Sequence, residues 1–96
     1  MDTTEVIKRL KAIKPRLETE YGLTTLALFG SYSRNEQTAE SDIDLLIDFA
    51  AVNATHFFNC SFELQDAFIN KKVEIVTKGG IKLKYFEAIK ADLLYA

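Results

Sequence analysis

The spacing of apolar positions changes several times along the chain, and each change marks an element. Over residues 3–20, Val6, Ile7, Leu10, Ile13 and Leu17 recur at intervals of three and four, which gathers them on one face of a helix. Pro15 falls inside this run and leaves two forms open: a kinked helix, or a second short helix with proline in its first turn. Tyr21-Gly22 closes the segment, glycine being favoured just past a helix end. Residues 23–29 (LTTLALF) are apolar and β-branched and run into Gly30, which predicts a buried strand ending in a turn. A short helix beginning near Ser31 is expected next, then a polar loop from Asn35 to Ser41. Residues 42–49 (DIDLLIDF) alternate, with Ile43, Leu45, Ile47 and Phe49 on one face of a strand and Asp42, Asp44 and Asp48 on the other.

Helical spacing returns over residues 55–69, where Phe57, Ser61, Leu64 and Phe68 align with Phe58 and Phe62 beside them. Residues 72–77 (KVEIVT) predict a third strand, broken by Gly79-Gly80. A last amphipathic helix is expected over 82–94 through Leu83, Phe86, Ile89 or Lys90, and Leu93. The order helix, strand, short helix, strand, helix, strand, helix implies an α/β (α+β) fold, a small mixed sheet with helices packed on one face. Residues 1–96 are expected to make one domain.

Composition narrows the class. With 48% hydrophobic and 27% charged residues the chain is an ordinary globule rather than a disordered one. No apolar run approaches the roughly 18–20 residues of a membrane span, and the first residues lack the basic-then-apolar pattern of a signal peptide. A single cysteine, Cys60, cannot form an internal disulfide and is expected as a buried or half-buried thiol. The cytoplasm is the default location. A net charge of −2 argues against a long nucleic acid as main partner, since polynucleotide grips usually need a basic excess.

Two short segments carry candidate chemistry. Asp42 and Asp44, two apart on a strand, point to the same side roughly 6–7 Å apart at their bases. Unaided, such a pair raises the pKa of at least one member. A hard divalent cation relieves the conflict, taking one or two carboxylates with water and substrate phosphates. The plain alternative is a solvated edge of a strand. Gly30-Ser31 ends the preceding strand, where free backbone N–H groups and a hydroxyl could cradle a phosphate; alone it is equally an ordinary turn with Ser31 as cap. Glu74 lies between Val73 and Ile75, so it must face away from their buried side and can share a face with Asp42 and Asp44 if the strands are neighbours. Arg34 follows Ser31 by one helical turn and could donate to a phosphate or simply face solvent. The lone His56 has no partner at zinc-ligand spacing.

Taken together, Gly30-Ser31-Tyr32-Ser33-Arg34, six loop residues, then Ser41-Asp42-Ile43-Asp44-Leu45-Leu46-Ile47 resembles the signature of the minimal nucleotidyltransferases, the smallest members of the DNA-polymerase-β-like superfamily. The likeness extends to Lys71-Lys72-Val73-Glu74-Ile75-Val76-Thr77 and covers residues 20–78 well. It implies that Gly30, Ser31 and Arg34 meet the nucleotide, and that Asp42, Asp44 and Glu74 are the catalytic acids and hold two Mg²⁺ ions, with Mn²⁺ as an alternative. Glu74 would also take the proton of the attacking hydroxyl. The third acid of that family is more often aspartate; glutamate sets the carboxylate about 1.5 Å further out, a displacement that can cost a hundredfold in rate.

The resemblance further implies a metal-dependent transfer of a nucleoside monophosphate, AMP from ATP, onto a helical partner protein, in the role of antitoxin to a ribonuclease toxin. Nothing in the 96 residues is set aside to hold an acceptor, so a partner is expected to bring it. Two other readings stay open: a non-catalytic module that neutralises its partner by contact, and an enzyme modifying a small molecule. Homo-oligomerisation is also open.

Overall fold

The computed structural model describes residues 1–51 and 53–96. Helix α1 (Thr3–Tyr21) begins at Asp2, whose side chain accepts the Glu5 N–H at 2.8 Å, and ends at Gly22 in the left-handed conformation. Of the two forms Pro15 left open, the chain takes a single helix. Pro15 and Lys11 both face solvent, so the Lys11 carbonyl that proline leaves without a donor can turn to water. Strands β1 (Leu23–Phe29) and β2 (Ile43–Phe49) pair antiparallel, with Leu28 opposite Leu45 and Phe29 opposite Asp44. Helix α2 (Ala54–Asp66), capped by Asn53, crosses over to β3 (Val73–Thr77), which lies parallel to β2. A parallel neighbour requires such a crossover.

The short helix expected at Ser31 does not form. Residues 31–35 make one hydrogen-bonded turn, with Arg34 N–H on the Gly30 carbonyl at 3.2 Å and Glu36 N–H on the Ser31 carbonyl at 2.9 Å. Asn35 at φ +58° ends it before a second turn can start. The last helix is also shorter than expected. Helix α3 (Leu83–Ile89) gives way to a single 3-10 turn at Lys90–Asp92, and Leu94–Tyr95 form strand β4 on the free edge of β1. Leu93 is already extended, and the Ala96 N–H reaches the Leu26 carbonyl at 2.9 Å. Pairing with the otherwise open edge of β1 outweighs continuing the helix. The sheet order is β3-β2-β1-β4, a mixed sheet.

Alternation along β1 and β2 divides the core. Leu26, Leu28, Ile43, Leu45 and Ile47 meet Val6, Leu10 and Leu17 of α1 and Cys60 and Leu64 of α2, with Phe68 beyond it. Burial pushes the Cys60 thiol up to about 11. Ala27, Phe29 and Leu46 point the other way and pack with Ile89 and Phe86 of α3. The two long helices thus share one face as expected, while the short third helix covers part of the opposite face. That second face is the one on which Asp44 lies. No helix among the described residues is long and apolar enough to cross a membrane.

Candidate active site

Gly30 follows the last residue of β1 with φ +77°, a conformation costly for any residue with a Cβ. Its neighbour across the sheet makes the requirement stricter. A Cβ on Gly30 would overlap Oδ2 of Asp44 and stand 3.2 Å from its Cγ. The glycine therefore does two things: it turns the chain, and it leaves room for a carboxylate to rest against backbone. The turn that follows is anchored by Tyr32, whose ring is 1% exposed in the α1/α2 core, while Thr3 at the start of α1 donates to the Tyr32 carbonyl. Ser31 is half-buried, and Ser33 Oγ donates to the Gly30 carbonyl at 2.9 Å. The loop back to β2 is closed by Ser41, whose Oγ accepts the Thr38 N–H at 2.9 Å, and by Lys71, which donates to the Ala39 carbonyl at 3.0 Å.

The parallel register sets Asp44 directly opposite Glu74. Both lie on the face away from Ile43, Ile75 and Val73, as alternation predicted. Asp44 is partly buried, and its carboxyl is pushed up to about 6. Burial is the largest cause, followed by a hydrogen-bonding approach to the Glu74 carboxyl and by the charges of Glu74 and Asp42; the charge of Arg34 works in the opposite direction. Asp42, just before β2, has Lys72 Nζ at 3.9 Å from Oδ2. Among the described residues no three acidic, histidine or cysteine side chains converge as a ready-made metal cage. Asp44 and Glu74 are brought together, and Asp42 stands near enough for its charge to act on Asp44.

That donor set still fits a hard cation. It offers hard oxygen donors at the foot of a glycine turn. Mg²⁺ characteristically takes one or two carboxylates and completes its shell with phosphate and water. Asp42, Asp44 and Glu74 would hold it, and the ion would supply charge neutralisation for a triphosphate.

Arg34 is exposed and ion-paired. Its Nε donates to Glu36 at 3.0 Å and its Nη1 to Asp92 at 3.2 Å, and the two carboxylates raise its pKa. Asp48, on the same face as Asp44, is four residues along β2, roughly 13 Å away, and accepts the Phe49 N–H at 3.0 Å. It lines a concavity of about 520 Å³ with Phe49, Phe57, Thr77 and Gly79, at the other end of the strand from Gly30. That concavity is mostly apolar and holds none of Asp42, Asp44 and Glu74, so its size does not make it the seat of the chemistry. Two residues beside the site escaped the sequence reading. Tyr32 had a visible signal, an aromatic inside a glycine-serine turn. Asp92 had none, because its partner lies 58 positions away.

Comparison with known proteins agrees with the fold. The profile of the family described as polymerase beta nucleotidyltransferase matches residues 11–95. A candidate protein adenylyltransferase of Methanocaldococcus jannaschii is 39% identical over 94 residues, covering 96% of this chain and 95% of its own. The solved structure of a candidate minimal nucleotidyltransferase superposes with a TM-score of 0.79 at 24% identity, over 98% of this chain and 95% of the other. A chain from the complex of a tri-AMPylated Shewanella oneidensis HEPN toxin with its MNT antitoxin gives a TM-score of 0.57 at 20% identity, over 97% of this chain and 66% of that one. At those two identities the likeness is one of fold. The profile match, with the identity to the archaeal relative over nearly the whole of both chains, makes this chain a member of the polymerase-β nucleotidyltransferase family.

Proposed function

We propose that this chain is a Mg²⁺-dependent protein adenylyltransferase that moves AMP from ATP onto a partner protein, acting in the cytoplasm as the antitoxin of a toxin–antitoxin pair. One observation carries the reading: the Asp44 carboxylate rests on the Gly30 backbone with Glu74 beside it. A phosphate-binding turn and an acidic pair thereby meet at one place, as nucleotidyl transfer needs. In the reaction a partner hydroxyl attacks the α-phosphorus, a new P–O bond forms, the α–β bond breaks and pyrophosphate leaves. Glu74 takes the hydroxyl proton. The turn after Gly30 receives the phosphates through Ser31 and Arg34, and Asp42, Asp44 and Glu74 would hold the metal. Little covalent chemistry is asked of the protein; positioning and charge account for most of the rate. The adenylyl and toxin parts of the proposal draw on the relative's name and on the AMPylated toxin complex, one chain of which shares this fold.

A second reading has its own observation. Because no three acids converge among the described residues, and Glu74 is exposed, a module that neutralises its partner by contact alone is the alternative. The test is incubation with α-labelled ATP, Mg²⁺ and the protein encoded beside this one. Label on that partner, lost when Asp42 and Asp44 are both changed to asparagine, supports transfer. A partner that is neutralised yet never labelled would favour the binding module.

A further inference from the structure

The C-terminal strand does more than close the sheet. Leu94 pairs with Leu28 and Tyr95 with Ala27, and the 3-10 turn that leads into this strand ends at Asp92, two residues before it. There Oδ2 of Asp92 accepts from Nη1 of Arg34 at 3.2 Å, while Glu36 Oε1 accepts the Nε–H at 3.0 Å. The Arg34 backbone is itself tied to the turn, its N–H donating to the Gly30 carbonyl at 3.2 Å. Two carboxylates, one local and one from the far end of the chain, thus grip one guanidinium beside the glycine turn.

This grip is poorly suited to stabilising the fold. The side chains of Arg34, Glu36 and Asp92 are 43%, 64% and 31% exposed, and ion pairs this open to water contribute little. It is well suited to removing freedom from a long side chain, because a guanidinium held at two of its edges has few rotamers left. A guanidinium carries five N–H groups. Glu36 and Asp92 engage two of them, and the others remain to donate. The positive charge of Arg34 already acts on the Asp44 carboxyl, so the group stands within the field of the site.

We infer that Asp92 is a positioning residue for nucleotide binding, holding Arg34 so that its remaining donors meet a phosphate oxygen at the Gly30 turn. The inference rests on the nucleotidyl-transfer reading and adds to it a residue from outside the turn and the acidic strands. In this arrangement β4 serves the site, since its pairing with β1 fixes the end of the turn from which Asp92 reaches Arg34.

The experiment is calorimetric titration of the full chain with a non-hydrolysable ATP analogue in Mg²⁺. Asp92→Asn should weaken binding about tenfold, the effect of losing one charge-assisted contact's orientation, with an unchanged thermal midpoint. Asp92→Glu should recover part of the loss. In an Arg34→Gln background, Asp92→Asn should cost nothing further, because the residue it positions is gone. Unchanged affinity in Asp92→Asn, or losses that add in the double variant, would overturn the inference alone. Tighter binding would overturn it too, by showing that Asp92 withholds Arg34 from the nucleotide. A wild type that binds no nucleotide with Mg²⁺ would overturn both the inference and the function it rests on.

Discussion

The Asp44 carboxylate occupies the space that a side chain on Gly30 would need. A methyl group at position 30 would force Asp44 away from its place opposite Glu74 and would also hold alanine at φ +77°. Gly30→Ala should therefore lose nucleotide binding in Mg²⁺ and destabilise the fold by about 1–3 kcal/mol from backbone strain alone. Gly22→Ala is the matched control. Gly22 has φ +71° but no atom within 4 Å of a Cβ, so it should show the conformational cost, about 1–2 kcal/mol, with nucleotide binding intact. Denaturant unfolding and titration of both variants check this; equal binding in the two would mean that the Gly30–Asp44 packing is irrelevant to the site.

The raised pKa of Asp44 has a consequence for stability. Its folded value, about 6, lies above the ordinary 3.8, so the folded state holds this proton more tightly than the unfolded chain does. The group's contribution is then most favourable below about pH 4 and is lost as pH rises through about 6. In chelator, Asp44→Asn should raise the thermal midpoint at pH 7.5, where the wild type carries a crowded charge, and leave it unchanged near pH 4. Adding Mg²⁺ with nucleotide at pH 7.5 should narrow the difference by stabilising only the wild type. A variant less stable than wild type at pH 7.5 in chelator would contradict the picture of a partly buried charge crowded by its neighbours.

Much of this was legible from residue spacing, and the failures share a cause. Alternation through Ile43, Leu45 and Ile47 separated Asp44 from the core side chains, and the same argument turned Glu74 to its face. Those are local properties with period two. What alternation could not supply was the neighbour relation that sets Asp44 opposite Glu74, which depends on the crossover through α2. The C-terminal misreading is similar: Leu83, Phe86, Ile89 and Leu93 continue a helical period, but a strand of two residues has no period to detect. Its formation is decided by the open edge of β1, far away in sequence. At 31–35 the residue order reads as the start of a helix, but Asn35, a residue type that tolerates positive φ, ends it after one turn. The Arg34–Asp92 pair is the extreme case, a contact between two solvent-facing side chains brought together solely by topology.

The phenylalanines in and just after the second helix make a further test, because residue type alone did not divide them between core and surface. Phe68 is fully buried among the α1 and α2 residues, with the Arg9 guanidinium 5.8 Å from its ring centre. Phe62 is 63% exposed. Phe68→Ala should cost about 3–5 kcal/mol through lost contacts and the cavity left behind. Phe62→Ala should change stability by less than about 0.5 kcal/mol. Urea unfolding of the two variants checks the assignment, and a large loss at Phe62 would mean that its ring is covered in solution.

Glu74 separates an enzyme from a binding module, because it stands opposite Asp44 yet is open to solvent. If it helps hold the metal and accepts the proton of the attacking hydroxyl, Glu74→Gln should cut AMP transfer by about 10²–10⁴-fold, the range for losing a positioned base. Partner binding should stay nearly unchanged, since the amide keeps the side chain's shape. Glu74→Asp is the sharper variant. In an active enzyme adapted to glutamate, drawing the carboxylate back by about 1.5 Å should impair transfer, because misplacement of that size costs about a hundredfold. In a domain that had lost activity through the longer side chain, the same change should instead create transfer where the wild type has none. The measurement is incorporation of α-labelled AMP into the partner, beside an assay of partner neutralisation. If wild type, Glu74→Gln and Glu74→Asp all fail to label the partner while all three neutralise it, transfer is not what this chain does, and contact alone accounts for its action.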